Sequence, residues 1–226
     1  MAAKNSRGVT VCVTKAGATP GSITPTAIAK AVAAGDNRAH VTVAAAVAGL
    51  KVGDLIKIPT GGTGFKEIDG KTWTVGSIDT GGTGFTLNGT NLLATTGTLA
   101  ATPTMQHYPD TDMVCLCLSQ LQFNAEKGST ISVATYCDPS ASIPSASTTA
   151  GTVDLGGYVD ITSADYKELL LAEEDGLERI YRIMLPGNGE IIFPGIISSF
   201  GWDVPLDGAV AWNASLALGS RPRHLF

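Results

Sequence analysis

Charge is scarce in this sequence: Asp, Glu, Lys and Arg make up 15% of its 226 residues, against about 25% in an average soluble protein. Surface polarity must come instead from Thr, Ser and Asn, a composition suited to extensive self-contact. A basic stripe is missing too. With 15 Lys and Arg against 20 Asp and Glu the net charge is −5, which argues against tight wrapping of nucleic acid but not against a channel that DNA passes without sticking. No run approaches the ~18 apolar residues of a membrane span, and residues 1–8 lack the apolar stretch of a secretory signal. The expectation is a soluble chain without membrane insertion. Four cysteines are too few for a disulfide scaffold at this length. Cys12, Cys115, Cys117 and Cys137 are therefore expected to be reduced packing residues.

Glycine and proline, by contrast, are plentiful at 27 and 11, which favours turns over helices. A chain of this size buries roughly 70–75% of its unfolded surface, enough for one large core or two modest ones. Residues 9–14 alternate Val9, Val11 and Val13 with Thr10, Cys12 and Thr14, the period of a strand with one buried face. Residues 15–35, rich in Ala, Gly, Pro and Thr, read as a linker with one weak helical turn at most. Short strand-like runs at 40–43, 54–58, 71–78 and 85–87, separated by glycine-rich turns, suggest a small barrel. The hexapeptide Thr60-Gly-Gly-Thr-Gly-Phe65 recurs as Thr80-Gly-Gly-Thr-Gly-Phe85, as turn chemistry rather than domain duplication.

Denser strands are predicted at 114–123, 130–136, 153–161, 180–185, 191–193, 196–204 and 210–218. In the last, Val210, Trp212, Ala214, Leu216 and Leu218 share one face. Residues 137–151 read as a long polar loop fit to be a contact arm. One helix is expected after Thr162, with Asp165 three residues on, Tyr166, Leu169 and Leu170 as its apolar stripe, and Gly176 as its end. Lys167, Glu168, Glu173 and Glu174 form its solvated face.

Catalytic patterns are not found. Asp69-Gly-Lys-Thr72 would need glycine at position 65 to be a phosphate loop, and Phe65 stands there; a strand rather than a helix follows. His40, His107 and His224 lie in separate segments without a paired nucleophile. His107, Cys115 and Cys117 match no standard zinc spacing. Glu126, Glu190, Asp203 and Asp207 lie near strands, but spacing alone selects no acid–base pair. Trp202 and Trp212 read as core or subunit-contact aromatics.

The C-terminal half carries an ordered set of segments: 123–138, 160–171, and then 190–208 with Phe193-Pro-Gly195 and Val204-Pro-Leu-Asp-Gly208, closing at Leu218-Gly-Ser-Arg-Pro222. This order resembles the tail tube, or major tail, protein of long-tailed non-contractile bacteriophages. The resemblance implies a mainly β fold, a sandwich or barrel with one flanking helix. It covers residues 1–35 and 105–226, and it marks Phe193, Gly195, Val204, Pro205, Asp207 and Gly208 as family-motif structural positions. Residues 36–104 are then an inserted small β-barrel module, expected on a tube's outer surface.

The function so implied is structural: hexameric rings stacked into the tail tube through which DNA is ejected, with no catalysis, cofactor or metal. Expected partners are further copies of the chain and the tape measure, tail terminator and distal tail proteins, with DNA passing transiently. The location is the virion tail, after assembly in the host cytoplasm. Candidate subunit contacts are Tyr166, Leu169, Leu170, Arg221 and Arg223. The alternative is a carbohydrate- or receptor-binding β module, supported by Gly/Thr-rich turns and by Trp73, Trp202 and Trp212. A hydrolase using a carboxylate pair has least support.

Overall fold

The computed structural model describes residues 9–31, 36–61, 63–92, 103–124, 127–132, 142–149, 151–187, 189–219 and 222–225, with backbone alone for 127–132, 142–149 and 223–225. In chain order the elements are β1 (Thr10–Thr14), β2 (Gly21–Ile23), β3 (Pro25–Lys30), β4 (Ala39–Val43), β5 (Leu55–Lys57), β6 (Thr72–Ile78), β7 (Gly84–Leu87), β8 (Met105–Tyr108), a 3-10 turn (Asp110–Asp112), β9 (Met113–Leu116), β10 (Gln120–Asn124), β11 (Lys127–Ser132), β12 (Ser142–Thr149), β13 (Thr152–Tyr158), α1 (Ala164–Asp175), β14 (Arg179–Met184), β15 (Glu190–Asp203), β16 (Ala211–Leu218) and β17 (Arg223–Leu225). The fold is mainly β, with one α-helix among the described residues. It divides into two compact units: Met1–Val13, Cys115–Pro186 and Phe193–Arg223 form the first, and Thr14–Val114, Gly187–Ile192 and His224–Phe226 the second.

The first unit is built on the sheet β10-β13-β16-β15-β14-β1-β9, with β17 also on β15. Its two end strands, β9 and β10, are separated by only residues 117–119, a link of under about 15 Å. A sheet whose ends are tied so closely must curl, which shelters edges that would otherwise template further pairing. In β16 Trp212, Ala214, Leu216 and Leu218 are buried while Asn213 and Ala217 are exposed, as the alternation predicts. Val210 lies just before the strand and is half-buried. Tyr181 of β14 stacks on Phe193 of β15 at 5.5 Å. Burying each such large side chain contributes about 1.5–3 kcal/mol.

The second unit is a small barrel with strand order β2-β8-β5-β6-β7-β4-β3. Closure comes from one extended segment: β2 and β3 are separated by Thr24 alone, yet β2 pairs with β8 and β3 with β4 at the opposite end of the strand order. A strand that turns a corner and changes partner joins two crossed sheets into a barrel. β6 does the same, pairing Thr72–Thr74 with β5 and Val75–Ile78 with β7. Residues 15–35 are thus not a linker: Ile23, Pro25 and Ile28 point into the core, and the backbone is held on both sides. Small residues hid the strand because only three of its positions carry bulk inward. The unit accordingly begins at Thr14 and ends its main span at Val114, wider than residues 36–104. The first hexapeptide lies in the β5–β6 connection and the second turns into β7 at Gly84 and Phe85, with positive φ at Gly61, Gly64, Gly81 and Gly82.

Three further expectations are corrected. Cys12 and Cys115 are joined by a disulfide, because β1 and β9 are neighbours in the sheet, while Cys117 is free and exposed. Within 137–151, Ser142–Thr149 is a strand paired with Lys127–Ser132, not loop; residues 133–141 and 150 lie outside the described residues. Helix α1 starts at Ser163 rather than Thr162: the Ser163 hydroxyl accepts from the Tyr166 amide at 3.2 Å, and Gly176 ends the helix in the left-handed region at φ 60°.

Candidate functional site

The family-motif residues separate into an inner and an outer group. Phe193 is fully buried, and Gly195 lies opposite Leu218 in the β15–β16 pair. Val204, Pro205, Asp207 and Gly208 form the exposed connection from β15 to β16, with φ 120° at Gly208. Of the candidate contacts, Tyr166 and Leu169 are consumed by the unit's own core, at 6% and 1% exposure, and Leu170 is half-buried. An amphipathic stripe serves intrachain packing first. Arg221 lies outside the described residues; Arg223 opens β17.

Five of the exposed apolar side chains gather at the end of the sheet where β15 turns into β16. Trp202, Val204 and Leu206 are 57%, 70% and 105% exposed, and Tyr158 and Ile161, just after β13, are 65% and 73% exposed. Register places them at one end: Tyr158 pairs with Ala211, Ala211 with Asp203, and the Val159 amide donates to the Val210 carbonyl at 2.9 Å.

Trp202 is exposed yet held. Its indole N–H donates to the Tyr166 hydroxyl at 2.7 Å, and its ring meets Phe200 edge-on at 5.5 Å. Phe200 in turn stacks on buried Trp212 at 5.9 Å. An exposed aromatic fixed from beneath loses little freedom on docking, the property of an interface anchor. Sequence reasoning grouped Trp202 with Trp212. The signal that separates them is the turn Val204-Pro-Leu-Asp-Gly208, which brings the strand end into solvent.

Segments 156–163 and 202–210 at this end carry Asp160, Asp203 and Asp207 and no Lys or Arg, with Lys167 of α1 near enough to act on Asp160. Asp160 accepts from the Thr162 hydroxyl at 2.6 Å and the Thr162 amide at 2.9 Å, and these bonds, the hydroxyl's first, hold its carboxyl below the usual range. Beneath the surface, Glu168 is not on a solvated face but 8% exposed. It accepts from Arg179, whose other nitrogen binds Asp175 at 2.6 Å. Burial pushes the Tyr181 hydroxyl upward.

Of the catalytic candidates, Asp203 and Asp207 share the exposed end of β15, and among the described residues no other candidate is placed with them. Glu190 and Asp203 open and close β15, roughly 40 Å apart along a 14-residue strand, and Glu126 lies outside the described residues. His107 binds Asp54, and Cys115 is in the disulfide. Among the described residues no group of three His, Cys, Asp or Glu side chains is placed to hold a metal. No helix among them is long and apolar enough to cross a membrane.

No family model matches this chain, and no curated protein does. Two solved structures are similar to parts of it. One is a chain from the virion of a native gene transfer agent particle, with TM-score 0.41 and 10% identity, covering 52% of this chain and 92% of that one. The other is from the tail of an empty gene transfer agent particle with C6 symmetry, with TM-score 0.37 and 11% identity, covering 47% of this chain and 79% of that one.

Proposed function

We propose that this chain is a structural subunit of a phage-type tail, whose copies join as hexameric rings stacked into a tube for DNA ejection. One observation carries the reading: five large apolar side chains exposed at one end of a curled sheet, anchored by an immobilised Trp202. Monomeric proteins rarely expose apolar patches larger than a few hundred Å², and these five residues present about that much or more. The resemblance in the C-terminal half and the low charge density support the same conclusion. A tube lined by carboxylates would repel DNA phosphates and let the polyanion slide. The tape measure, tail terminator and distal tail proteins are the partners such a tube requires, and the virion tail its place. The role asks no catalysis of the chain.

Negative-stain electron microscopy and sedimentation of the purified protein across a concentration series test this. Rings or tubes are expected for the native chain, with Trp202→Ala raising the concentration needed for association at least about tenfold, the scale of an anchor residue. Monomers at every concentration, or assembly indifferent to Trp202→Ala, would overturn the proposal.

A further inference from the structure

The barrel unit carries a polar arrangement that assembly does not use. Asp54, immediately before β5, is 1% exposed, and His107 near the end of β8 is 5% exposed. The Asp54 carboxylate accepts from the Lys51 amide at 2.8 Å and the Asp110 amide at 3.0 Å, and its Oδ2 lies 2.7 Å from His107 Nε2. A carboxylate already taking backbone N–H donors has no proton to give. Nε2 therefore carries a proton, and in the uncharged ring the lone pair is the one on Nδ1.

Beside Nδ1 stands a glycine. Gly21 is the register partner of His107 across β2 and β8, and a Cβ on Gly21 would lie 3.3 Å from Nδ1. Nδ1 accepts no hydrogen bond among the described residues, and His107 lines a cleft of about 380 Å³ at this end of the barrel. Gly21 starts β2 and Val43 ends β4, so the cleft occupies a barrel mouth, a common place for ligands. Its other walls are uncharged: Ser22 and Thr24 along the strand, and the small side chains of Ala44–Ala48 opposite. A second cleft of about 530 Å³ shares Gly21, Ala48 and His107 but is rimmed by Lys51, Asp110 and Asp112.

We infer that the uncharged cleft binds a small neutral polyhydroxy molecule, a carbohydrate ring, which donates a hydroxyl proton to His107 Nδ1. An acceptor of fixed tautomer selects a donor. The alanine wall matches the C–H face of a sugar. The absence of charged side chains from this cleft's lining removes any advantage for an ion. Asp54 is the positioning residue, since it sets which nitrogen is free. This inference does not depend on the assembly reading, because cleft and apolar end belong to different units.

The test uses full-length protein with ¹⁵N-labelled histidine. Long-range ¹H–¹⁵N spectra of the native chain should show His107 as the Nε2–H tautomer. Titration with D-glucose, D-galactose and N-acetylglucosamine should shift the Nδ1 signal and the Gly21 amide saturably for at least one sugar. Gly21→Ala, whose backbone an alanine can adopt, should weaken that binding at least about tenfold, the loss of one hydrogen bond to a site left unpaired. An Nδ1–H tautomer, no saturable shift with any of the three sugars, or equal affinity in a folded Gly21→Ala would overturn the inference. The tautomer measurement on the native chain decides even where the variant fails to fold.

Discussion

Two adjacent glycines in β13 should behave oppositely when changed to alanine. Neither has a positive φ, so alanine fits both backbones and, without a clash, stabilises by about 0.4–1 kcal/mol through the unfolded state. Gly156 meets that condition: an added Cβ contacts the Gln120 Cβ at 3.4 Å and the Trp212 carbonyl oxygen at 3.5 Å. Gly157 does not. Its Cβ would lie 2.7 Å from Trp212 Cε2 and Cζ2 and 2.8 Å from Nε1, against an indole that is 3% exposed and stacked on Phe200. Displacing such a ring costs about 1–3 kcal/mol, leaving Gly157→Ala net destabilised by about 1–2 kcal/mol and Gly156→Ala neutral or slightly stabilised.

The gap of about 2 kcal/mol corresponds to roughly 4–8 °C in Tm for a chain of this size. Thermal unfolding followed by near-ultraviolet circular dichroism reads it where it arises, because the signal of stacked Trp212 and Phe200 should weaken in Gly157→Ala before unfolding begins. Equal Tm values for the two variants, with unchanged aromatic signals, would refute the packing argument. Since Trp212, Phe200 and Trp202 form one contiguous aromatic cluster, Gly157→Ala should also weaken self-association.

Other outcomes follow from single contacts. The Cys12–Cys115 bond closes a span of 103 residues, so replacing both cysteines with serine should lower stability by about 4–5 kcal/mol in the chain-entropy model, and native protein in reductant should approach the same midpoint in denaturant. Arg179→Met leaves Glu168 buried without its cation; a loss of about 3–5 kcal/mol is expected, measured by urea unfolding, with Glu168→Gln milder because the amide still accepts. Asp160 should titrate below an ordinary aspartate in carbon-detected NMR, with Thr162→Ala raising its midpoint. Because the folded value is depressed, its contribution to stability is present above the unfolded value and is lost as pH falls through the folded one.

Several features of this fold were legible residue by residue. The alternation of β16 required only that bulk recur every second position, and helix α1 announced itself through Tyr166, Leu169 and a terminal Gly176. Both are local, since a strand face or a helix cap is set by neighbours within four residues. The barrel's small, turn-separated strands were legible for the same reason, and the two hexapeptides marked their own connections. β2 and β3 were not, because Ile23, Pro25 and Ile28 are bulky only where a corner-turning strand points inward, and the partners β8 and β4 lie far along the chain.

The same division separates the sites. Composition alone established a chain poor in charge and rich in turn residues, so its polar surface and β character needed no coordinates. Which apolar residues remain outside did. Tyr166 and Trp202 both belong to apolar stripes in the sequence, and only packing decided that one is buried and the other held in solvent. Likewise Glu168 looked like any helix surface carboxylate until β14 brought Arg179 against it, and Cys12 met Cys115 only because β1 and β9 are sheet neighbours. His107 and Asp54 are 53 residues apart and share no motif. Their pairing, and the lone pair it leaves facing Gly21, exist because barrel closure sets β8 between β2 and β5, a long-range arrangement on which local periodicity carries no information.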